Sequence, residues 1–447
     1  MSDQPQTPDL SDGKSQSKEA AAVRPRTRPR KHQRRRPWLW LTLSAMAICL
    51  WQKDTLWPPF FHRVATQKLD RHEPEEALKW LDRAEWFGAE RADTAMLQTR
   101  AARLTGDAAL FAKALQLSES RGVSSLYLQR ERILWAAQSG QMSIATPHLS
   151  TLLTDTSGDN RDVCLAYVTG FLRSLRLNEA MSLLDVLLKD SPNDAYPWLI
   201  RGRIWLLQSE SRKAESDFRM ALSIRPDWNE PLIYLAETLY DTRRASEALP
   251  LFETAMESDE FHTRAAVGLA RCMKAIAQVD KAKTVLQDAL KRDPLNHDAL
   301  LELGSTHQEE GEVDLAIPLL ESAIRQMPGS EESHYRLAQC YLSVGRKDEA
   351  DREFKIVDEA RLALSELNRL NDQIRNQPQN EDLLVRSGEL MLRFADPDDG
   401  VAVLMSALDI NPSNKTAHKL LAEHYQKLSA TIPELRQQFE RHKKLSE

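Results

Sequence analysis

Apolar positions recur along most of this chain with the period of an α-helix, in blocks that repeat every 34 residues. Alanine keeps that interval six times, at Ala180, Ala214, Ala248, Ala282, Ala316 and Ala350. A leucine or phenylalanine follows each alanine by four residues, at Leu184, Phe218, Phe252, Leu286, Leu320 and Phe354. A small residue precedes five of them by twelve, at Gly202, Ala236, Ala270, Gly304 and Ala338. A fixed period in this range predicts a stacked repeat array.

Each unit has two apolar blocks separated by a polar break, and residues 297–330 give a clear example. The first block predicts a helix with one apolar face, formed by Leu300, Leu303 and Gly304. The second block predicts another helix, whose apolar face carries Ala316, Leu320 and Ala323 and which Pro328 ends. One such hairpin cannot bury its apolar faces alone, whereas stacked neighbours form a continuous core.

The unit 195–228 resembles the tetratricopeptide repeat in the residues Trp198, Gly202, Trp205, Ala214, Phe218, Ala221 and Pro226. The same pattern recurs in phase in units that start at 161, 195, 229, 263, 297 and 331. This resemblance implies an all-α, right-handed superhelical solenoid of helix-turn-helix repeats. It also implies that the first helices line a concave groove, which receives a peptide or a helix of a partner protein.

The pattern divides the chain into six segments. We expect a disordered tail with a basic run (1–36), a membrane anchor or signal segment (37–57), degenerate helical repeats (58–160), six in-phase repeats (161–364), a helix extension (365–380), and a final repeat with a partial repeat and a capping helix (381–447). Thr146 and Pro147 disturb the second helix expected near them. Apolar residues at three- and four-residue steps predict that the sixth unit's second helix continues to about Gln377.

Charge is distributed unevenly, because residues 1–37 carry a net charge of +6 and the remainder carries −12. The run Arg24–Arg36 precedes an apolar stretch from Trp38 to Trp51. This order predicts a single-pass membrane protein, inserted through residues 38–57, with a cytoplasmic N-terminus and the repeats outside, in the periplasm of a bacterium. The apolar stretch is short for a bilayer, so a cleaved signal, giving a secreted or periplasmic protein, and an interfacial segment remain alternatives.

Residues capable of catalysis are not grouped in any motif. The four cysteines, at 49, 164, 272 and 340, lack metal or redox spacing, and the histidines are scattered. Glycine-rich nucleotide turns and nucleophile elbows do not occur in the sequence. We therefore expect no enzymatic activity, no cofactor and no metal site.

The family resemblance places ten residues on the groove surface: Arg203, Tyr234, Glu237, Tyr240, Arg264, Arg271, Lys274, Tyr335, Arg336 and Gln339. Tyrosine and arginine are the residue types most enriched at binding hot spots. Arg264, Arg271 and Lys274 form a basic cluster that could hold acidic side chains or a carboxylate of the partner. The alternative is that these residues are ordinary solvated helix faces.

The leading hypothesis is a non-catalytic protein-interaction scaffold or adaptor, tethered to the membrane by its N-terminus and binding partner proteins in the groove. The alternative is a soluble scaffold, or a regulatory subunit, whose basic tail contacts nucleic acid or anionic lipid. Aromatic residues do not interleave the basic residues at 24–36, which disfavours nucleic acid as the partner.

Overall fold

Paired helices form all of the regular structure in the described part of the chain. The fold is given by a computed structural model, which describes residues 53–87, 91–154, 159–429 and 433–447. Within these ranges every regular element is helical and no strand occurs. The predicted all-α repeat solenoid is confirmed, and the handedness of its superhelix stays a prediction. The expected tail, 1–36, lies outside the described residues.

The helices follow one another in antiparallel hairpins. The N-terminal part contains α1 (Lys53–Asp70), α2 (Pro74–Trp86), α3 (Ala92–Thr105), α4 (Ala108–Ser120), α5 (Ser125–Gln138), α6 (Met142–Ala145) and α7 (Leu149–Thr154). The 34-residue units begin with α8 (Asn160–Arg173), α9 (Leu177–Asp190), α10 (Ala195–Leu207), α11 (Ser211–Ile224), α12 (Asn229–Asp241) and α13 (Ala245–Ala255). They continue with α14 (His262–Ala275), α15 (Val279–Arg292), α16 (His297–Glu309), α17 (Val313–Gln326) and α18 (Glu331–Ser343). The C-terminal part contains α19 (Lys347–Asn376), α20 (Glu381–Phe394), α21 (Pro397–Ile410), α22 (Lys415–Leu428) and α23 (Arg436–Ser446).

The repeating alanines lie where the two helices of each hairpin cross, and all six are fully buried. The small residue of the first helix lies against the large residue of the second. A Cβ atom added at Gly304 would lie 2.9 Å from Cγ of Leu320. Small residues are required at these positions because the helices approach closely, and stacking the hairpins then joins their apolar faces into one core.

The turn inside each 34-residue unit has a left-handed backbone conformation at the same place. The residues with positive φ are Leu175, Ser209, Arg243, Ala277, Gly311 and Gly345, again 34 apart. Only the last two are glycines, although a left-handed conformation costs other residues roughly 1–2 kcal/mol. The tight reversal is therefore imposed by the packing of the hairpin, and four of the six units bear its conformational cost.

Replacing Ala277 by glycine should stabilise the protein. Ala277 has φ +63° and its side chain is exposed, so the substitution relieves the strained backbone without removing a buried contact. We expect the free energy of unfolding to rise by about 0.5–1 kcal/mol, because the relief of roughly 1–2 kcal/mol of backbone strain exceeds the stabilisation of the unfolded chain by the entropy of glycine. Urea denaturation measures this change. Ala112→Gly, at an exposed position inside α4, should instead lower the free energy of unfolding by about 1 kcal/mol. Equal effects of the two substitutions would contradict the interpretation.

The third hairpin departs from the regular unit. Its second helix is split into α6 and α7 by a 3₁₀ turn, Thr146–His148, which contains Pro147. The first helix, α5, packs directly on α8, and Gly170 lies at their crossing. The last in-phase unit also departs from the regular pattern, because its second helix, α19, is a continuous helix of 30 residues.

A fully buried ion cluster connects three consecutive hairpins. Arg103 on α3 donates to Glu131 on α5 over 2.8 Å and to Asp162 on α8 over 2.5 Å, and neither Arg103 nor Glu131 is exposed to solvent. Burial disfavours ionisation of Asp162, but Arg103 and Arg100 outweigh it and lower its pKa to about 2. The cluster fixes the positions of α3, α5 and α8 relative to one another.

Two contacts join hairpins that are distant in sequence. The turn between α1 and α2 packs against α8 and α10: the ring of His72 stacks on Tyr196 at 3.6 Å, and Arg161 donates to the carbonyl oxygen of Asp70 over 2.9 Å. At the other contact, the carboxylate of Asp409 on α21 accepts from the backbone N–H and the hydroxyl of Ser143 at the start of α6. These contacts therefore link α8, α10 and α6 to hairpins that are distant from them in the sequence.

The predicted single-pass membrane localisation is wrong. The described helices include none with the length and apolar character that a bilayer crossing requires. Most of the predicted segment, 38–57, lies outside the described residues. Its last residue, Trp57, belongs to α1 and packs in the first hairpin, with ring centroids 6.0 Å from Phe61 and 5.7 Å from Phe87. The last residue of the predicted membrane segment thus packs, partly buried, against the core of the first hairpin.

Candidate functional site

The ten predicted groove residues all lie on first helices of the 34-residue units: one on α10, three on α12, three on α14 and three on α18. We call the exposed surface of α10, α12, α14, α16 and α18 the first-helix face. Each helix presents polar side chains there, because its apolar side packs on the second helix of its own unit. Consecutive units bring these side chains together, although they are 27 to 31 residues apart in the sequence.

Tyr234 is at one end of the first-helix face, between two arginines. The guanidinium of Arg264 lies 4.6 Å from the centre of its ring, and that of Arg203 lies 5.5 Å from it. Arg264 also donates twice to Glu237, over 2.7 and 2.6 Å. These contacts hold Tyr234 in one position while about half of the Arg264 side chain remains exposed.

Glu302 is the centre of the middle section, and sequence reasoning missed it. It accepts from Arg271 over 2.8 Å and from Lys274 over 2.9 Å, and Lys274 also contacts Glu309 at 3.0 Å. Burial by itself disfavours its charge, but Lys274 and Arg271 outweigh that effect, so the pKa of Glu302 lies below its usual range. Tyr240 lies beside this group, half-buried, and burial raises its pKa.

The far section consists of Arg336, Gln339 and Tyr335 on α18. Arg336 pairs with Glu332 on its own helix over 2.6 Å and with Glu309 on α16 over 3.2 Å. Gln339 accepts from the amide of Gln308 over 2.6 Å. Tyr335 packs edge-on against Phe354 of α19, at 6.1 Å between ring centres.

These pairs correct the expectation of a free basic cluster. Arg264, Arg271 and Lys274 each have a carboxylate partner within 3.0 Å on a neighbouring first helix. The signal in the sequence was the recurrence of opposite charges on first helices 27 to 31 residues apart, as in Glu237–Arg264 and Arg271–Glu302. The first-helix face is therefore a row of paired charges with tyrosines between them. The role of the ten residues in binding stays a prediction.

The described residues were also compared with the side-chain groups that bind metals. Across the described ranges, histidine, cysteine, aspartate and glutamate side chains form no cluster of three or more suited to a metal ion. Cys164, Cys272 and Cys340 are buried and unpaired by disulfides, and burial raises their thiol pKa values. Cys49 lies outside the described residues.

Comparison with known proteins identifies the repeat. A family model described as a tetratricopeptide repeat matches residues 239–304 and 307–361. A tetratricopeptide repeat protein from Parabacteroides merdae has a similar structure, with a TM-score of 0.45 and 17% identity, over 51% of this chain and 90% of its own. The type IV pilus biogenesis factor PilW has a TM-score of 0.40 and 20% identity, over 44% of this chain and 91% of its own. The Pseudomonas aeruginosa protein pilF has a TM-score of 0.39 and 17% identity, over 43% of this chain and 88% of its own. No curated protein matches the sequence.

Proposed function

We propose that this chain, which is a tetratricopeptide repeat protein, is a scaffold that holds partner proteins on its first-helix face. One observation carries the proposal, namely that four of five consecutive first helices, α10, α12, α14 and α18, present exposed or partly exposed arginine or tyrosine side chains, several of them held by ion pairs and ring contacts. Residues that are already held in place lose little conformational entropy on binding, which favours affinity.

The paired charges support a particular kind of recognition. Because each basic residue of the cluster already has a carboxylate partner, a bound protein must offer both donors and acceptors to the row, or else leave its ion pairs intact. Tyr234, Tyr240 and Tyr335 then supply contact area between the pairs. A partner that carries only acidic groups would compete with Glu237 and Glu302 and gain little.

A double substitution tests this function. Tyr240→Ala with Arg271→Glu removes a contact surface and places a carboxylate beside Glu302, so partners held by this face should be lost. We expect quantitative pull-down from the source cells to show at least a roughly tenfold loss of the specific partners, in keeping with hot-spot energetics.

The matched control is Lys291→Glu, which makes the same kind of charge reversal on α15, a second helix, where the side chain is 76% exposed. It should retain the full partner set, and circular dichroism should show that all variants keep their helices. An identical partner set for the wild type, the double variant and the control would remove the first-helix face from the proposal.

A further inference from the structure

The last helix of the chain, α23, depends on one histidine for its attachment to the repeat stack. His442 is the only buried residue of this helix, with 3% of its surface exposed. Leu435 and Phe439, near the start of the helix, are partly buried, and Leu445 is 46% exposed. A helix that buries so little apolar surface gains little from the hydrophobic effect. The contacts of His442 therefore decide whether α23 stays docked.

His442 is hydrogen-bonded to a second buried histidine, His418 of α22. The two Nδ1 atoms are 2.9 Å apart, and His418 is 4% exposed. The Nε2 atom of His418 lies 3.0 Å from the carbonyl oxygen of Pro412, which can only accept, so this nitrogen carries a proton. In neutral His418 the Nδ1 atom is therefore the acceptor, and His442 donates to it. One proton lies between the two Nδ1 atoms, and a second proton there would abolish the hydrogen bond.

The charged groups around this pair oppose a second proton. Those that act on His442 are His418 of α22 and Arg441 of its own helix, and both disfavour the protonated form. On α21, the carboxylate of Asp398 acts on His424 and not on His442. Among the described side chains, therefore, no carboxylate compensates the pair. Two buried imidazolium rings at this distance would repel each other.

The pKa of His442 fixes the pH range in which docking weakens. Burial, and then His418 and Arg441, lower this pKa to about 4. When α23 is undocked the ring is in water and has its ordinary pKa of about 6.5. Between these values the undocked state binds more protons, so docking is strongest above about pH 6.5 and weakens as the pH falls towards about 4. At pH 5 the ratio of docked to undocked α23 should be roughly 30-fold lower than at pH 7.5.

We propose that α23 is an acid-released cap, which leaves α22 when His418 and His442 are both protonated and thereby uncovers the end of the repeat stack. The ring of Tyr425 on α22, which stacks on His442 with 5.8 Å between ring centres, then becomes accessible. The end of a repeat array needs a polar cover because its outer face has no neighbouring repeat. The cap therefore makes the surface of the last hairpin depend on pH, independently of binding on the first-helix face.

Hydrogen exchange of the full chain, followed by mass spectrometry and corrected for the chemical exchange rate at each pH, tests the cap. A helix of 11 residues is marginal in isolation, so undocking also melts it. The protection factor of the backbone amides at 440–446 therefore reports the docked-to-undocked ratio. We expect it to fall roughly 30-fold between pH 7.5 and pH 5. The protection of α20, in the preceding hairpin, should change less than about threefold.

Substitution of the pair identifies the sensor. In His442→Gln the amide can donate to neutral His418 and accept from protonated His418, so it keeps the contact without a pair of buried charges. The protection of 440–446 in this variant should change less than about threefold between pH 7.5 and pH 5. The matched control is His424→Gln, which removes a half-buried histidine whose ring packs on Tyr425. It should lose protection in acid as the wild type does.

A permanent charge should release the cap at neutral pH. His442→Lys places a cation against His418 and should lower the protection of 440–446 at pH 7.5 at least about tenfold. Gln438→Lys adds the same charge at an exposed position of the same helix, and its protection should stay within about twofold of the wild type.

Three results would overturn the proposal. If the wild type keeps the same protection at both pH values, α23 is not released by acid. If His442→Gln loses protection in acid as the wild type does, the histidine pair is not the sensor. If α20 loses protection together with 440–446, acid unfolds the repeats as a whole and the cap is not a separate switch.

Discussion

Replacing Arg103 by methionine should destabilise the protein by about 3 kcal/mol. It removes the closest cation from the buried carboxylates of Glu131 and Asp162, which keep only longer contacts to Arg130 and Arg100. Both carboxylates are within 2.8 Å of the guanidinium, and neither is exposed by more than 3%. Such a loss is a large part of the roughly 5–15 kcal/mol by which folded proteins are stable. The midpoint of urea unfolding, followed by circular dichroism, measures it.

Two further variants separate the buried charge from the lost packing. Arg132→Met removes an exposed cation that pairs with Glu119, and it should change stability little. The triple substitution Arg103→Met, Glu131→Leu, Asp162→Leu replaces the three most buried charges by apolar side chains, so it should recover part of the loss. Arg100 and Arg130 then keep Asp159 as their partner. If the triple variant is no more stable than Arg103→Met, uncompensated charge is not the cause.

The second large effect is expected at Gly170. A Cβ atom there would overlap the carbonyl oxygen of Ala137 on α5 and would lie 2.6 Å from the sulfur of Met142. Backbone cannot move aside as a side chain can, so α5 and α8 must separate. We expect Gly170→Ala to cost about 3 kcal/mol, at the upper end of overpacking effects. Thermal and urea unfolding of the purified chain measure the loss.

Gly304→Ala is the matched comparison, because its new methyl group would meet the side chain of Leu320 at 2.9 Å. Leu320 can shift, so we expect a smaller loss of about 1 kcal/mol. A loss at Gly304 as large as the one at Gly170 would mean that close backbone approach does not distinguish the two crossings.

The paired charges change how the candidate binding surface is understood. The sequence suggested a basic cluster that could hold a carboxylate. In the structure Arg271 and Lys274 pair with Glu302, Lys274 also pairs with Glu309, and Arg264 pairs with Glu237. These charges are therefore already paired between units, where they hold neighbouring first helices together.

Local patterns predicted most of the architecture. The alanines that recur every 34 residues, from Ala180 to Ala350, are fully buried. Each is required by packing inside its own hairpin, so a local pattern was enough to predict it. The left-handed turns at Ser209, Arg243 and Ala277 were missed, because these residue types do not favour that conformation. The membrane prediction was wrong, because no described helix is long and apolar enough to cross a bilayer, and Trp57 packs against Phe61 and Phe87 in the first hairpin.

Helical periodicity and small crossing residues act over a few turns of chain, so they are sufficient to predict a stack of helical hairpins. The pairing of charges, in contrast, follows from contacts between helices that are distant in the sequence. The partners of Arg103 are 28 and 59 residues away, and the obstacle at Gly170 is the backbone of another helix. Such contacts depend on the distance and rotation between packed helices, which the packing of all the units sets together.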